Sequence, residues 1–173
     1  MKTLVVIDMQ NDFITGPLGT PEAQAIVPKV RAKIEEYKQH MDYIFYTKDT
    51  HYANYLETSE GKKLPVEHCI VDTCGFNIED SLYDGYYPMG EIINKETFGY
   101  HDWGSYALEK DESIEIVGVC TDICVVSNAL ILKANFPESN IIVDASCCAG
   151  TTPENHKAAL QVMKSCQINV IGE

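Results

Sequence analysis

The stretch Ile114-Glu115-Ile116-Val117-Gly118-Val119-Cys120-Thr121-Asp122-Ile123-Cys124-Val125 passes without a linker from a β-branched run into a helical pattern that reaches Phe136. Ile114 to Val119 reads as a strand and Asp122 to Phe136 as a helix. The same alternation recurs in both directions along the chain. Further strands are expected at Thr3 to Asp8, Tyr43 to Thr47, Glu91 to Asn94, Asn140 to Ala145 and Ile168 to Ile171. Most are continuously apolar rather than alternating, which predicts strands buried on both faces. Helices are expected at Ala25 to His40, Trp103 to Lys110 and Pro153 to Ser165, with Pro28 suited to a first helical turn and Pro153 to another. Alternating β and α segments predict an α/β fold, a parallel sheet with helices on both faces. Ligands of such sheets bind beyond the carboxyl ends of the strands, so the residues just after each strand are where function is sought.

The chain has 173 residues, which suits one domain over 1–173 with a substantial core. Lys and Arg number 13 against 26 Asp and Glu, a formal charge of −13, and no basic run exceeds Lys62-Lys63. That balance argues against nucleic acid and against an anionic membrane surface as partners. No apolar run approaches the ~20 residues of a membrane span, and the N-terminal segment lacks the pattern of a secretion signal. A cytoplasmic protein is therefore expected. Its seven cysteines should then be mostly reduced, small and buried, and their spacings do not form a structural zinc motif. Neither GxGxxG nor GxxxxGK[ST] occurs, which lowers nucleotide-binding readings.

Three strand ends and one loop carry candidate chemistry. The first strand ends in Asp8-Met9-Gln10-Asn11-Asp12-Phe13, where Asp8 or Asp12 is either a functional carboxylate or a turn cap. The third ends at Lys95, a candidate partner for Asp8 if buried, or else a surface lysine. The fourth places Cys124 in the first turn of a helix that Thr121 or Asp122 is positioned to cap. Backbone N–H groups there favour a thiolate and can hold an oxyanion. Cys120 reads as a wall of that turn. The long segment from Lys48 to Cys74 contains Asp49, His51 and His68, one oxygen and two imidazoles suited to zinc, iron or manganese, unless the two histidines are unrelated. Glu60 lies in the same loop, either a solvated charge or a looser fourth ligand.

Taken together these residues resemble the isochorismatase-like cysteine hydrolases, in particular the nicotinamidase/pyrazinamidase branch. The resemblance rests on Asp8, Gln10, Asp12 and Phe13, on Lys95, on Gly118-Val119 with Thr121 to Val125, and on Asp49, His51 and His68. It implies a three-layer α-β-α fold around a doubly wound six-stranded parallel sheet, in agreement with the strand count. It also implies an Asp8-Lys95-Cys124 triad, an oxyanion hole from the Cys120 and Cys124 amides, and a cis Val119–Cys120 bond. One divalent transition metal, zinc before iron or manganese, would sit on Asp49, His51, His68 and Glu60. Phe13, Leu18, Phe98 and Tyr100 would line the pocket. The implied activity is hydrolysis of nicotinamide, a small neutral amide, to nicotinate and ammonia in NAD salvage; assembly into a homo-oligomer is left open. Gly16-Pro17-Leu18 departs from the usual paired glycines, and Cys120 replaces the usual Ala or Ser. A second thiol there would expose the site to oxidation. The alternatives are a family hydrolase of another small amide or ureide, and a non-catalytic metal- or redox-responsive protein on this fold.

Overall fold

In the computed structural model, which describes residues 1–106, 108 and 112–173, six parallel strands form one sheet in the order β3-β2-β1-β4-β5-β6. They are β1 Lys2–Ile7, β2 Tyr43–Asp49, β3 Gly90–Lys95, β4 Ser113–Val119, β5 Ile141–Ala149 and β6 Asn169–Ile171. The helices are α1 Asn11–Ile14, α2 Pro21–Gln39, α3 Ser59–Lys63, α4 Val126–Asn135 and α5 Pro153–Ser165. Alternate residues of β1 serve opposite layers, as the two-residue period of a strand requires. Leu4 and Val6 pack with Ile26, Val30 and Ile34 of α2, whereas Val5 and Ile7 pack with Ala129 and Leu132 of α4 and Leu160 of α5. The chain winds outward from β1 through β2 to β3, then returns to β4 beside β1 and winds the other way. The reversal opens a crevice beyond the carboxyl ends of β1 and β4.

Several expectations need correction. The second helix starts at Pro21, four residues before Ala25, because Thr20 caps it by accepting from the Ala23 amide at 3.0 Å; Pro28 lies in its interior, not its first turn. Trp103 begins only a short 3₁₀ turn ending at Ser105, and residues 107, 109 and 110 of the helix expected to Lys110 lie outside the described residues. Burial on both faces holds for β1 and β4 but not at the edges, where β3 and β6 are largely exposed. Strand β5 runs past Ala145 to Ala149 after a register shift opposite Ile116 to Gly118, so Cys147 and Cys148 lie buried within the strand.

Candidate active site

Parallel register brings the first components together. Ile7 pairs with Thr47, and Asp49 pairs with Lys95, so the residues leaving β1, β2 and β3 end at one level. Asp8 takes a left-handed conformation, φ 47°, a region Asp enters more readily than most residues, and this turns its side chain out of the ladder. Its Oδ1 accepts from the Thr47 hydroxyl at 2.7 Å and its Oδ2 lies 2.6 Å from Lys95 Nζ. Both side chains are shut off from solvent. Apart from this ion pair, neither Asp8 Oδ2 nor Lys95 Nζ makes a hydrogen bond among the described residues. Asp8 Oδ2 keeps one lone pair and Lys95 Nζ two N–H groups for further partners.

Cys124 completes the cluster from β4. Gly118 has φ 119°, and a side chain there would run into the Ile7 carbonyl, so only glycine lets β4 approach β1 this closely. The Val119–Cys120 peptide is cis. The chain then enters a π-helical turn, Thr121–Val125, in which Ile123 and Val125 both donate to the Cys120 carbonyl, before α4 begins. The expected cap at Thr121 or Asp122 is absent. Those side chains face away instead: Thr121 Oγ1 lies 2.8 Å from His156 Nδ1, and Asp122 accepts from the Thr151 amide and hydroxyl. They fasten the turn to the start of α5.

The thiol state also differs from expectation. Burial pushes the Cys124 thiol well above its ordinary range, and the neighbouring Asp8 carboxylate adds to this while Lys95 opposes it. Desolvation outweighs the helix start, so the resting group is a neutral thiol against a carboxylate. Burial likewise raises Asp8 against the pull of Lys95. Lys95 resists its own burial and is held protonated by the carboxylates of Asp8 and Asp49. An acid-base pair is thus in place beside the sulfur.

Lys95 Nζ lies 3.8 Å from Asp49 Oδ1, which joins this cluster to a second one. Asp49, His51, Glu60 and His68 each offer a ligand atom, all within 4.8 Å of one another. His51 and His68 meet because Ile70 makes a one-pair parallel bridge to His51, with the His51 amide donating to the Cys69 carbonyl and Val71 to the His51 carbonyl. Glu60 arrives on α3, whose N-terminus Thr58 caps; Gly61 is pressed against the Tyr55 carbonyl, where a side chain has no room. The Tyr55 ring meets both imidazoles edge-on at 4.7 and 5.0 Å. His68 Nδ1 lies 2.8 Å from the Val66 carbonyl, an arrangement that gives Nδ1 the proton and leaves Nε2 a lone pair. That lone pair faces Asp49 Oδ2 at 3.4 Å and Glu60 Oε1 at 3.7 Å. Although burial works against ionisation, the neighbouring His51 and the Lys95 ammonium hold the Asp49 carboxyl well below the usual range. Lone pairs from two imidazoles and two carboxylates converging on one point fit a divalent transition metal.

The family sequence profile of the isochorismatase domain matches residues 2–172. The chain belongs to the isochorismatase family. Among relatives of this isochorismatase-family chain, the nicotinamidase of Saccharomyces cerevisiae is 24% identical, the match covering 99% of each protein. The nicotinamidase/pyrazinamidase of Mycobacterium tuberculosis is also 24% identical, over 99% of this chain and 98% of that one. The crystal structure of the pyrazinamidase of Pyrococcus horikoshii in complex with zinc superposes with a TM-score of 0.82 at 28% identity, covering 99% of each chain. The six-stranded, doubly wound architecture is that of the family.

Within this isochorismatase-family fold the pocket residues divide. Phe13 is buried with its ring 5.5 Å from His68, beside the second cluster. Leu18 packs into the α2 layer and Tyr100 into the α4 layer, where it meets Trp103 edge-on at 5.3 Å; Phe98 is exposed. Sequence reasoning quoted Gln10 and Asp12 without seeing their tasks. Gln10 accepts from the Asp49 amide at 2.7 Å and donates to the Asp49 and Phe76 carbonyls, while Asp12 accepts from the Cys69 amide at 2.7 Å, next to His68. Thr47, Tyr55 and Asn128 were missed; only their spacing from Asp49, His51 and Cys124 could have marked them.

Proposed function

We propose that this protein is a metal-dependent amidase that hydrolyses nicotinamide to nicotinate and ammonia through a thioester on Cys124. The observation carrying the reading is the contact of Lys95 with both Asp8 and Asp49, which sets a thiol-carboxylate pair directly beside a two-imidazole, two-carboxylate cluster. The names of the yeast and mycobacterial relatives support the substrate. Asp49, His51, His68 and Glu60 would hold the metal, zinc as in the Pyrococcus horikoshii structure, and when bound it supplies a Lewis acid for the pyridine nitrogen. Phe13, beside His68, would pack against the ring.

Asp8 takes the proton of Cys124 as the sulfur attacks the carboxamide carbon, and the C–O π electrons move onto oxygen. The amides of Cys120 and Cys124 receive that oxyanion, each donor worth about 3 kcal/mol in comparable sites. Asp8 returns the proton to the nitrogen, the C–N bond breaks and ammonia leaves. Water then attacks the thioester, giving a proton to Asp8, and the Cys124 thiolate departs to be reprotonated. Lys95 keeps its charge throughout and limits the cost of the buried anions. This activity would serve NAD salvage in the cytoplasm. The test is ammonia release from nicotinamide against a panel of small amides and ureides, with and without prior chelation. Chelator-sensitive release confined to pyridine carboxamides is expected; release from a ureide alone overturns the reading.

A further inference from the structure

One buried side chain on α4 joins the nucleophile turn to the loop that leaves β3, and neither the triad nor the metal cluster accounts for it. Asn128 is fully buried. Its Nδ2 donates to the Cys124 carbonyl at 2.8 Å and to the Phe98 carbonyl at 3.2 Å. Its Oδ1 accepts from the Tyr100 amide and from Trp103 Nε1, both at 2.9 Å. A primary amide has two donor hydrogens and two acceptor lone pairs, so every hydrogen-bonding capacity is used. The loop lies flat on the helix: a side chain at Gly99 would strike Ile131 at 2.5 Å and Ser127 at 3.2 Å. That loop starts at Lys95, and Asn128 stands one helical turn after Cys124.

We propose that Asn128 is a positioning residue that fixes the Cys124 turn against the loop from Phe98 to Trp103, so that the nucleophile and this flank of the site keep one spacing. The proposal deepens the amidase reading and rests on it for its kinetic consequences. One of the four hydrogen bonds holds the nucleophile turn, and the other three hold the loop. They can be separated, because a helical serine back-bonds the carbonyl four residues earlier, as Ser127 already does to Ile123 at 2.6 Å. Asn128→Ser therefore keeps the bond to Cys124 and drops the loop bonds, whereas Asn128→Leu drops all four at similar volume.

The experiment uses the metal-loaded full chain. Carbamidomethylation of Cys124 by iodoacetamide is followed by peptide mass spectrometry, alongside emission of Trp103, the only tryptophan, and steady-state kinetics on nicotinamide. For Asn128→Leu the alkylation rate and kcat should both change by about tenfold, the alkylation rate in either direction and kcat downward. For Asn128→Ser both should return to within about threefold of wild type, while KM rises by about tenfold and Trp103 emission shifts. A structural role alone lowers the folded fraction of both variants and leaves rates per folded molecule unchanged, and that result overturns the proposal. If Asn128→Leu does not fold, Asn128→Ser with wild-type KM and emission overturns it equally. Wild-type protein that releases no ammonia from nicotinamide refutes the amidase reading instead, and leaves alkylation and emission to decide the role of Asn128.

Discussion

Lys95→Met tests whether Asp8 and Lys95 are a charged pair in the resting protein. The substitution keeps an unbranched stem and removes the ammonium from a contact of 2.6 Å between side chains 1% and 0% exposed. Breaking a buried pair by removing one partner costs about 3–5 kcal/mol, because the other charge is left without compensation. With a urea slope of about 2 kcal/mol/M, the unfolding midpoint should fall by about 2 M. The dependence on pH has a definite sign. Burial already raises the Asp8 carboxyl above its ordinary 3.8, and losing Lys95 raises it further. A carboxyl whose folded pKa is raised costs stability above that pKa, and the cost is relieved as pH falls toward the unfolded value. The deficit of Lys95→Met should therefore be largest near pH 8 and shrink toward pH 5. The wild-type lysine, raised in the fold, stays protonated across that range and adds no slope of its own. Asp8→Asn in the same background should restore most of the stability and none of the activity. Asn accepts the Thr47 hydroxyl equally well and tolerates φ 47°. Unfolding of Lys95→Met at the wild-type midpoint, or a deficit independent of pH from 5 to 8, would refute a charged pair.

Three further outcomes are expected. Cys124→Ala should reduce ammonia release by about 10⁴-fold or more while the metal content, read by inductively coupled plasma mass spectrometry, stays that of the wild type. His51→Ala should do the converse at the first step: after dialysis the metal-to-protein ratio falls well below that of the wild type, and zinc no longer raises the melting temperature as a ligand of the folded state does. Thr47→Val removes the hydroxyl that lowers Asp8, so the acidic limb of the kcat/KM profile should move to higher pH; an unmoved limb would exclude Asp8 as the base.

The sheet was legible because Leu4 to Ile7, and Ile114 to Val119 apart from Glu115, are apolar on both faces, which only a central parallel strand needs. The strand ends followed, and with them Asp8, Lys95 and Cys124. Backbone geometry was less visible. Pro28 drew attention as a helix start because proline favours a first turn, yet Thr20 and Pro21 supplied a stronger start and the interior proline was tolerated. Likewise Thr121 and Asp122 match a capping pattern, but the wide turn behind the cis bond redirects them to His156 and Thr151. Asn128 lacks a local signal, since its partners Phe98, Tyr100 and Trp103 lie 25 to 30 positions away.

The segment after β1 shows why such a site can be assembled from separate loops. Asp8, Gln10 and Asp12 are alternate residues, and each engages a different structure: Asp8 the Lys95 ammonium, Gln10 both backbone groups of Asp49, and Asp12 the amide beside His68. A buried backbone group costs free energy unless paired, so Gln10 and Asp12 satisfy strand-end and loop groups that the sheet no longer reaches. The same bonds fix where the Asp49 carboxylate and the His68 ring stand relative to Asp8. Placement of the proposed metal ligands is thereby coupled to placement of the proposed proton acceptor, through one short segment anchored in the central strand. Loops that would otherwise move independently share a reference, which a site needing substrate held at one end and attacked at the other requires.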